Sequence, residues 1–358
     1  MFRCPHEIHV VIILATSNFC KNMLGTEGGK MKISIIVLLY NHERYIQECL
    51  ESIKYQTEKY NCNKAHTVQV IIADDASSDG SKKAVEDWSS RNPDIFETFE
   101  YIDRTENVGT CSNYLGALKK AEGDYIKVIG GDDLFPQMSI FEIFSHLDTG
   151  ADIVTGYPLV YFENGTNNIN DALCSIHRNQ CITLAESKLT YDDKIHRYCF
   201  FNAPATYISK QLLTDERVLF FLSSYKYIDD YTQWLKFSEI KDINVKYLNA
   251  VTIIYRRTNH STYMIRNQEL FEERIRIYMY AFSKTKNILN KALLKNSIIN
   301  IKAQRRHNYL NLLSYLHIYH RLKYRRKIQP IPREDITENF ALLESLREKA
   351  ATTITTHI

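Results

Sequence analysis

Four apolar runs of strand length, each opening into a polar loop, set the tightest limit on what this chain can become. They are Lys32 to Leu39, Val68 to Ala73, Thr98 to Ile102 and Tyr125 to Ile129, and a helical pattern fits into each gap between them. Their continuity and β-branching suit strands covered on both faces. Glu43 to Gln56 places apolar side chains at Tyr45, Ile46, Cys49, Leu50 and Ile53, the period of an amphipathic helix. Helices are also predicted from Ser81 to about Ser90 and over Thr110–Ala121, with Gly123 ending the latter. This alternation predicts an α/β fold, a mainly parallel central sheet flanked by helices.

In such a sheet the strand ends at residues 40, 74 and 131 share one edge, where open α/β folds bind ligands. Tyr40, Asp75 and Asp133 would then ring a single crevice although nothing local joins them. The fourth run closes in Gly130-Gly131-Asp132-Asp133. Two adjacent carboxylates beside bare backbone suit a hard divalent cation that keeps some waters and is shared with a ligand's phosphates. Asp132 equally suits the cap of a helix starting near Pro136, so these residues alone leave both readings open.

The 358 residues allow one large domain and a smaller one, and 24% charged with 44% apolar residues argues against disorder. A net charge of +3 does not by itself imply nucleic acid, which is not expected as a partner. The eight cysteines form no C-x-x-C pair, so zinc and thioredoxin-type chemistry are not expected; reduced thiols and a cytoplasmic location are. No segment approaches the ~20 apolar residues that span a bilayer. Residues 1–30 read as a non-native or disordered extension. Met31 opens directly into a strand, and Glu27-Gly28-Gly29 back-translates to a purine-rich ribosome-binding sequence, so translation is expected to start at Met31.

Beyond residue 150 the pattern loosens. A strand is expected within Asp152–Val160, a polar excursion over 163–181, a helix around Ala185–Tyr198, a short strand or turn at 203–208, a helix opened by Asp229 and Asp230, and a strand over Val245–Arg256. From about Asn267 the chain reads as helical, in stretches 269–295, 298–324 and 333–349. The expected division is a domain over 31–260 and a helical region over 261–358. Arg305, Arg306, Arg321, Lys323, Arg325, Arg326 and Lys327 make the second stretch basic. It is either a solvated helix face or a dock for an anionic membrane surface.

Four segments together resemble the inverting, GT-A-fold glycosyltransferases of family 2. They are Ser34 to Asn41, Ile71 to Ser81 with its Asp74-Asp75-Ala76-Ser77-Ser78-Asp79-Gly80 loop, Glu106-Asn107-Val108-Gly109 through Gly123-Asp124-Tyr125, and Gly131-Asp132-Asp133. The likeness covers roughly residues 32–260; Leu38 departs from it, standing where the family often has proline.

The resemblance implies a metal-assisted transfer from a nucleotide sugar, expected to be a UDP-sugar, to a glycan or lipid-linked acceptor in cell-surface polysaccharide synthesis such as capsule or O-antigen. It puts Tyr40 against the base, Asp75 as acceptor of a base N–H, Asp132 near the ribose and Asp133 on Mn²⁺ or Mg²⁺. Asp230 is implied as the catalytic base, with Asp229 as the competing neighbour. Further donor contacts are implied for Leu39, Asn41, Glu43, Gly109, Asn113 and Gly131, and a second metal ligand at His260. Arg256 and Arg257 fall where the family often places groups near the diphosphate or metal, and Trp234 is expected in the core or a cleft wall, with stacking on an acceptor sugar as the alternative. The implied location is cytoplasmic, peripheral on the inner face of the cell membrane. Two alternatives are a catalytically inactive binding or scaffold protein of this fold and a sugar nucleotidylyltransferase. The second lacks its glycine-rich loop at Leu39-Tyr40-Asn41-His42-Glu43, and no G-x-G-x-x-G follows any strand to suggest a dinucleotide oxidoreductase.

Overall fold

The computed structural model describes residues 30–61, 64–163, 168–198, 201–258, 268–303 and 329–355. His260 and the basic residues from Arg305 to Lys327 lie outside that set, as do 1–29.

The four apolar runs are strands: β1 (Lys32–Leu39), β2 (Thr67–Asp74), β3 (Thr98–Asp103) and β4 (Tyr125–Gly130), alternating with α1 (Ile46–Tyr60), α2 (Ser81–Arg91) and α3 (Thr110–Leu118). They pair in parallel in the order β3-β2-β1-β4. The register Leu39↔Asp74 and Leu38↔Gly130 aligns the C-terminal ends of three strands on one edge. β1 and β2 are buried almost end to end, as their unbroken apolar character requires.

The second half extends the same sheet. It comprises α4 (Ile140–Asp148), β5 (Ile153–Phe162), β6 (Asn168–Ile169), α5 (Asp171–Glu186), α6 (Tyr191–Tyr198), β7 (Thr206–Ser209), α7 (Lys210–Leu213), α8 (Glu216–Leu222), α9 (Asp230–Phe237) and β8 (Val245–Arg257). β7 joins antiparallel between β4 and β5, and β8 runs parallel to β5. A bridge between Leu134 and Ile254 carries the loop after β4 onto β8. The C-terminal helices are α10 (Gln268–Lys284), α11 (Ile288–Lys302) and α12 (Arg333–Thr355).

Three expectations need correction. The stretch 163–181 is mostly β6 and α5 rather than a polar excursion. Asn170 caps α5 by accepting the Leu173 N–H at 2.8 Å, and Cys174, Arg178, Cys181 and Leu184 turn inward at helical spacing. The helix after the acid pair begins at Ile140 with Ser139 as its cap, so Asp132 caps nothing. The stretch 269–295 breaks at 285–287, where the Asn287 side chain caps α11.

Candidate active site

The loop after β2 divides its acids between two tasks. Asp74 closes the turn, its Oδ1 accepting Ser77 N–H and Oγ–H at 2.9 and 2.6 Å. Asp75, 5% exposed, reaches across to the next crossover, where its two oxygens accept the N–H groups of Val108 at 2.7 Å and Gly109 at 2.9 Å. A carboxylate oxygen has capacity beyond one such bond, so a base N–H can still be accepted. Gly109 stands at φ +85°, and a Cβ there would lie 2.4 Å from Lys226 Cγ. Only glycine lets this turn lie against the segment that leads to Asp229.

The β1 exit is tied to the same loop. Asn41, at φ 56°, donates its N–H to Ser77 Oγ at 2.9 Å and accepts Ser78 N–H on Oδ1 at 2.8 Å. Glu43 donates its N–H to Asp79 Oδ2 at 3.0 Å. Tyr40 is left 47% exposed, an aromatic surface at the mouth of the cleft. Leu39 is buried, and its carbonyl accepts Asp75 N–H at 2.9 Å, which fastens the end of β1 to the β2 loop. Asn113 is also committed: it donates to Ala73 O at 2.6 Å and accepts from Arg104 Nε at 2.9 Å, which makes it a fastener between α3 and β2.

At the end of β4 the two acids face one spot. A Cβ on Gly130 would sit 2.7 Å from Asp132 Oδ1 and 3.5 Å from Asp133 Oδ2, so both carboxylates converge over that glycine. Asp133 is 2% exposed, and burial, reinforced by the charge of Asp132, raises its pKa well above the usual carboxylate range. His42 Nε2 lies 4.0 Å from Asp132 Oδ2. Its buried Nδ1, packed over Gly131, has no hydrogen-bond partner among the described residues.

Arg256 supports the pair from β8. Its N–H donates to Asp133 Oδ1 at 3.1 Å and its Nε–H to the Asp132 carbonyl at 2.8 Å. Its remaining nitrogens pair with Glu48 at 2.5 Å and Glu163 at 2.8 Å, and it stacks 4.3 Å from the Tyr45 ring centroid. Arg347 of α12 reaches the same Glu48 at 3.5 Å. The Arg256 guanidinium is thus buried beneath the acids and does not line the cleft. Lys127, the one charge in the β4 run, donates to the carbonyls of Pro204 and Thr206, and burial lowers its pKa to about 7.

Asp229 and Asp230 open α9. Glu273 of α10 shapes their approach by accepting the N–H groups of Lys226, Tyr227 and Ile228 at 3.0, 3.0 and 3.1 Å. Burial and the charge of Asp230 raise Asp229 to about 7, and burial raises Asp230 too. Burial raises the pKa of Cys111, Tyr114 and Tyr255; the charges of both Asp229 and Asp230 add to this at Cys111, that of Asp229 at Tyr114, and those of Asp133, Asp132 and Asp230 at Tyr255. Tyr255 is thus within electrostatic reach of Asp133, Asp132 and Asp230, and Trp234 of α9 is buried in the core.

Residues 34–204 match the family model for glycosyl transferase family 2. The chain carries a family 2 glycosyltransferase domain. That domain is 34% identical over 140 residues to the abequosyltransferase RfbV of Salmonella typhimurium, covering 37% of this chain and 40% of the relative. It is 35% identical over 121 residues to the teichoic acid poly(glycerol phosphate) polymerase of Staphylococcus epidermidis, covering 33% of this chain and 15% of that one. The chain thus spans about two fifths of the first relative and less of the second.

Among solved structures, TarS 1–349 of S. aureus in complex with UDP-GlcNAc superposes with a TM-score of 0.50 at 18% identity, covering 76% of this chain and 72% of that one. The mannosyltransferase PcManGT of Pyrobaculum calidifontis, in complex with GDP-Man and Mn²⁺, gives 0.51 at 15% identity over 97% and 95%. At these identities the likeness shows the fold, which is GT-A. The glycosyltransferase domain gathers no group of three or more His, Cys, Asp or Glu side chains fit for a metal among its described residues. Its acid pair does fit a cation whose remaining positions come from phosphate and water: two converging oxygens, a carboxylate that burial and its neighbour's charge hold above its usual range, and a bare glycine beneath.

Proposed function

We propose that the chain transfers a sugar from a nucleotide-sugar donor, expected to be a UDP-sugar, to a glycan or lipid-linked acceptor in cell-surface polysaccharide synthesis, with inversion at the anomeric carbon. The observation that carries this reading is the convergence of Asp132 and Asp133 over Gly130. A Mn²⁺ or Mg²⁺ ion held by Asp133, with Asp132 beside it, would offset the charge that builds on the departing diphosphate.

In this reading Tyr40 stacks on the base and Asp75 accepts its N–H while keeping the Val108–Gly109 turn in place. Asn41, Glu43, Gly109 and Gly131 shape the donor cleft through their backbone positions. Asp230 takes the proton of the acceptor hydroxyl as that oxygen attacks the anomeric carbon. The carbon–oxygen bond to the diphosphate breaks with its electron pair leaving on the nucleotide, so no covalent intermediate forms. Asp230 is preferred to Asp229 because it stands where the family's segment carries its base. The relatives' settings, an abequosyltransferase and a teichoic acid polymerase, support a cell-surface product. Such an acceptor favours a protein peripheral on the cytoplasmic face of the membrane, with 31–260 as the catalytic domain and 261–358 as a helical region beside it.

Calorimetry of the full chain against UDP-, GDP- and dTDP-sugars with Mn²⁺ tests the reading. Saturable binding of one nucleotide class, UDP first, is expected. No binding by any donor would refute it.

A further inference from the structure

α11 is turned the unexpected way round for its composition. It buries Asn290, Ser297 and Asn300 beside Leu293 and Leu294. Its outward face presents Ile288, Lys291, Ala292, Lys295, Ile299 and Lys302, three or four residues apart along one side. Ile288 is 85% exposed and Ile299 54%, and the adjoining Leu289 is 46% exposed. Apolar side chains left in water while polar ones are enclosed mark a face that something else covers.

The charge on that face narrows what covers it. No aspartate or glutamate occurs between Glu273 and Glu334, so the chain's basic excess, only +3 overall, is concentrated here and the remainder is acidic. Among the described residues, Lys291, Lys295 and Lys302 meet no carboxylate, whereas Lys284 at the helix turn lies 3.7 Å from Glu239. A second copy would set these lysines against lysines. Residues 304–328 of this chain, which include Arg305, Arg306 and Arg321, carry the same sign and no acid. Nucleic acid would match the charge but is gripped through aromatic and arginine side chains, not isoleucines.

We propose that this face of α11 docks on an anionic membrane surface. The isoleucines enter the boundary between headgroups and acyl chains while the lysines rest on lipid phosphates. A helix of 15 residues offers about 22 Å of such contact. This deepens the peripheral-membrane part of the proposed function by naming the surface. Its assay contains no donor, so failure here leaves the sugar-transfer reading standing.

The test is co-sedimentation of the full chain with phosphatidylcholine vesicles, with and without phosphatidylglycerol. Binding only to the anionic vesicles is expected. Lys291→Gln with Lys295→Gln should weaken it roughly thirtyfold, and Ile288→Asp with Ile299→Asp at least about tenfold. All four positions are exposed, and unchanged thermal melts confirm that the variants fold. Wild-type protein that ignores anionic vesicles overturns the proposal. So does binding that survives the α11 changes but is abolished by Arg305→Gln with Arg306→Gln. Competition by an RNA oligomer with the isoleucine changes silent would make the face a nucleic-acid site. Lipid-free dimerisation lost on Ile288→Asp would assign it to a second copy.

Discussion

Arg256 lies beneath Asp132 and donates its Nε–H to that residue's carbonyl oxygen at 2.8 Å. The acid pair is thus held from behind by a buried guanidinium whose other nitrogens are bound to Glu48 and Glu163. Replacing it by alanine leaves Glu48 only Arg347, at 3.5 Å, and Glu163 only the exposed Arg44, at 3.7 Å, a loss of up to about 3–5 kcal/mol, the scale of a broken buried pair. Urea unfolding of Arg256→Ala should show it. Arg256→Lys should recover only part, because an ammonium cannot copy the planar fork. Wild-type stability in Arg256→Ala would remove the arginine from this role.

Asp133 costs the fold stability as pH rises. Its pKa is raised in the folded protein, so the unfolded chain loses its proton first as pH climbs from about 4. Stability from this group therefore falls as pH rises from there through the elevated folded value. Asp133→Asn should melt higher than wild type at neutral pH without metal, with the advantage shrinking in acid. The same variant should lose any stabilisation by Mn²⁺. Thermal melts across pH, with and without Mn²⁺, check both.

Much of this site could be read from the chain alone, for one physical reason. Parallel strands with helical crossovers bring Tyr40, Asp75 and Asp133 to one edge whatever the details, and apolar continuity marked those strands clearly. What sequence missed was held by side chains from afar. Arg256 was expected near the diphosphate or the metal, and its backbone does reach Asp133, but its guanidinium turns under the acids to Glu48 and Glu163. The grip of Glu273 on three N–H groups of the 226–228 segment has no local signature. The Asn170 cap and the Cys174, Arg178, Cys181, Leu184 spacing were signals of α5, masked by its polar composition.

The Asp75 clamp should be sensitive to a single atom. In Asp75→Asn one oxygen becomes an NH₂ group facing a backbone N–H, either Val108 or Gly109. A buried donor without a partner costs about 1–3 kcal/mol. Gly109→Ala should destabilise as well, through the positive φ and the contact with Lys226. Denaturant melts report the stability loss, and hydrogen exchange at residues 107–110 should rise in Asp75→Asn.

Asp230→Asn should leave nucleotide binding near normal and lower turnover at least about a hundredfold, the scale of a lost general base. Because burial raises both acids of α9, with Asp229 at about 7, wild-type rate should climb with pH through a limb belonging to the pair. Asp229→Asn removes the neighbouring charge and should move that limb to lower pH. An unshifted limb, or wild-type turnover by Asp230→Asn, would put the base elsewhere.

The most direct measurement is calorimetric titration of UDP into wild-type protein and Asp133→Asn, each with and without Mn²⁺. Wild-type protein is predicted to bind UDP tightly only when Mn²⁺ is present, and Asp133→Asn to lose that metal-dependent gain. Equal binding by the two proteins in Mn²⁺ would contradict a metal-bridged diphosphate at the end of β4.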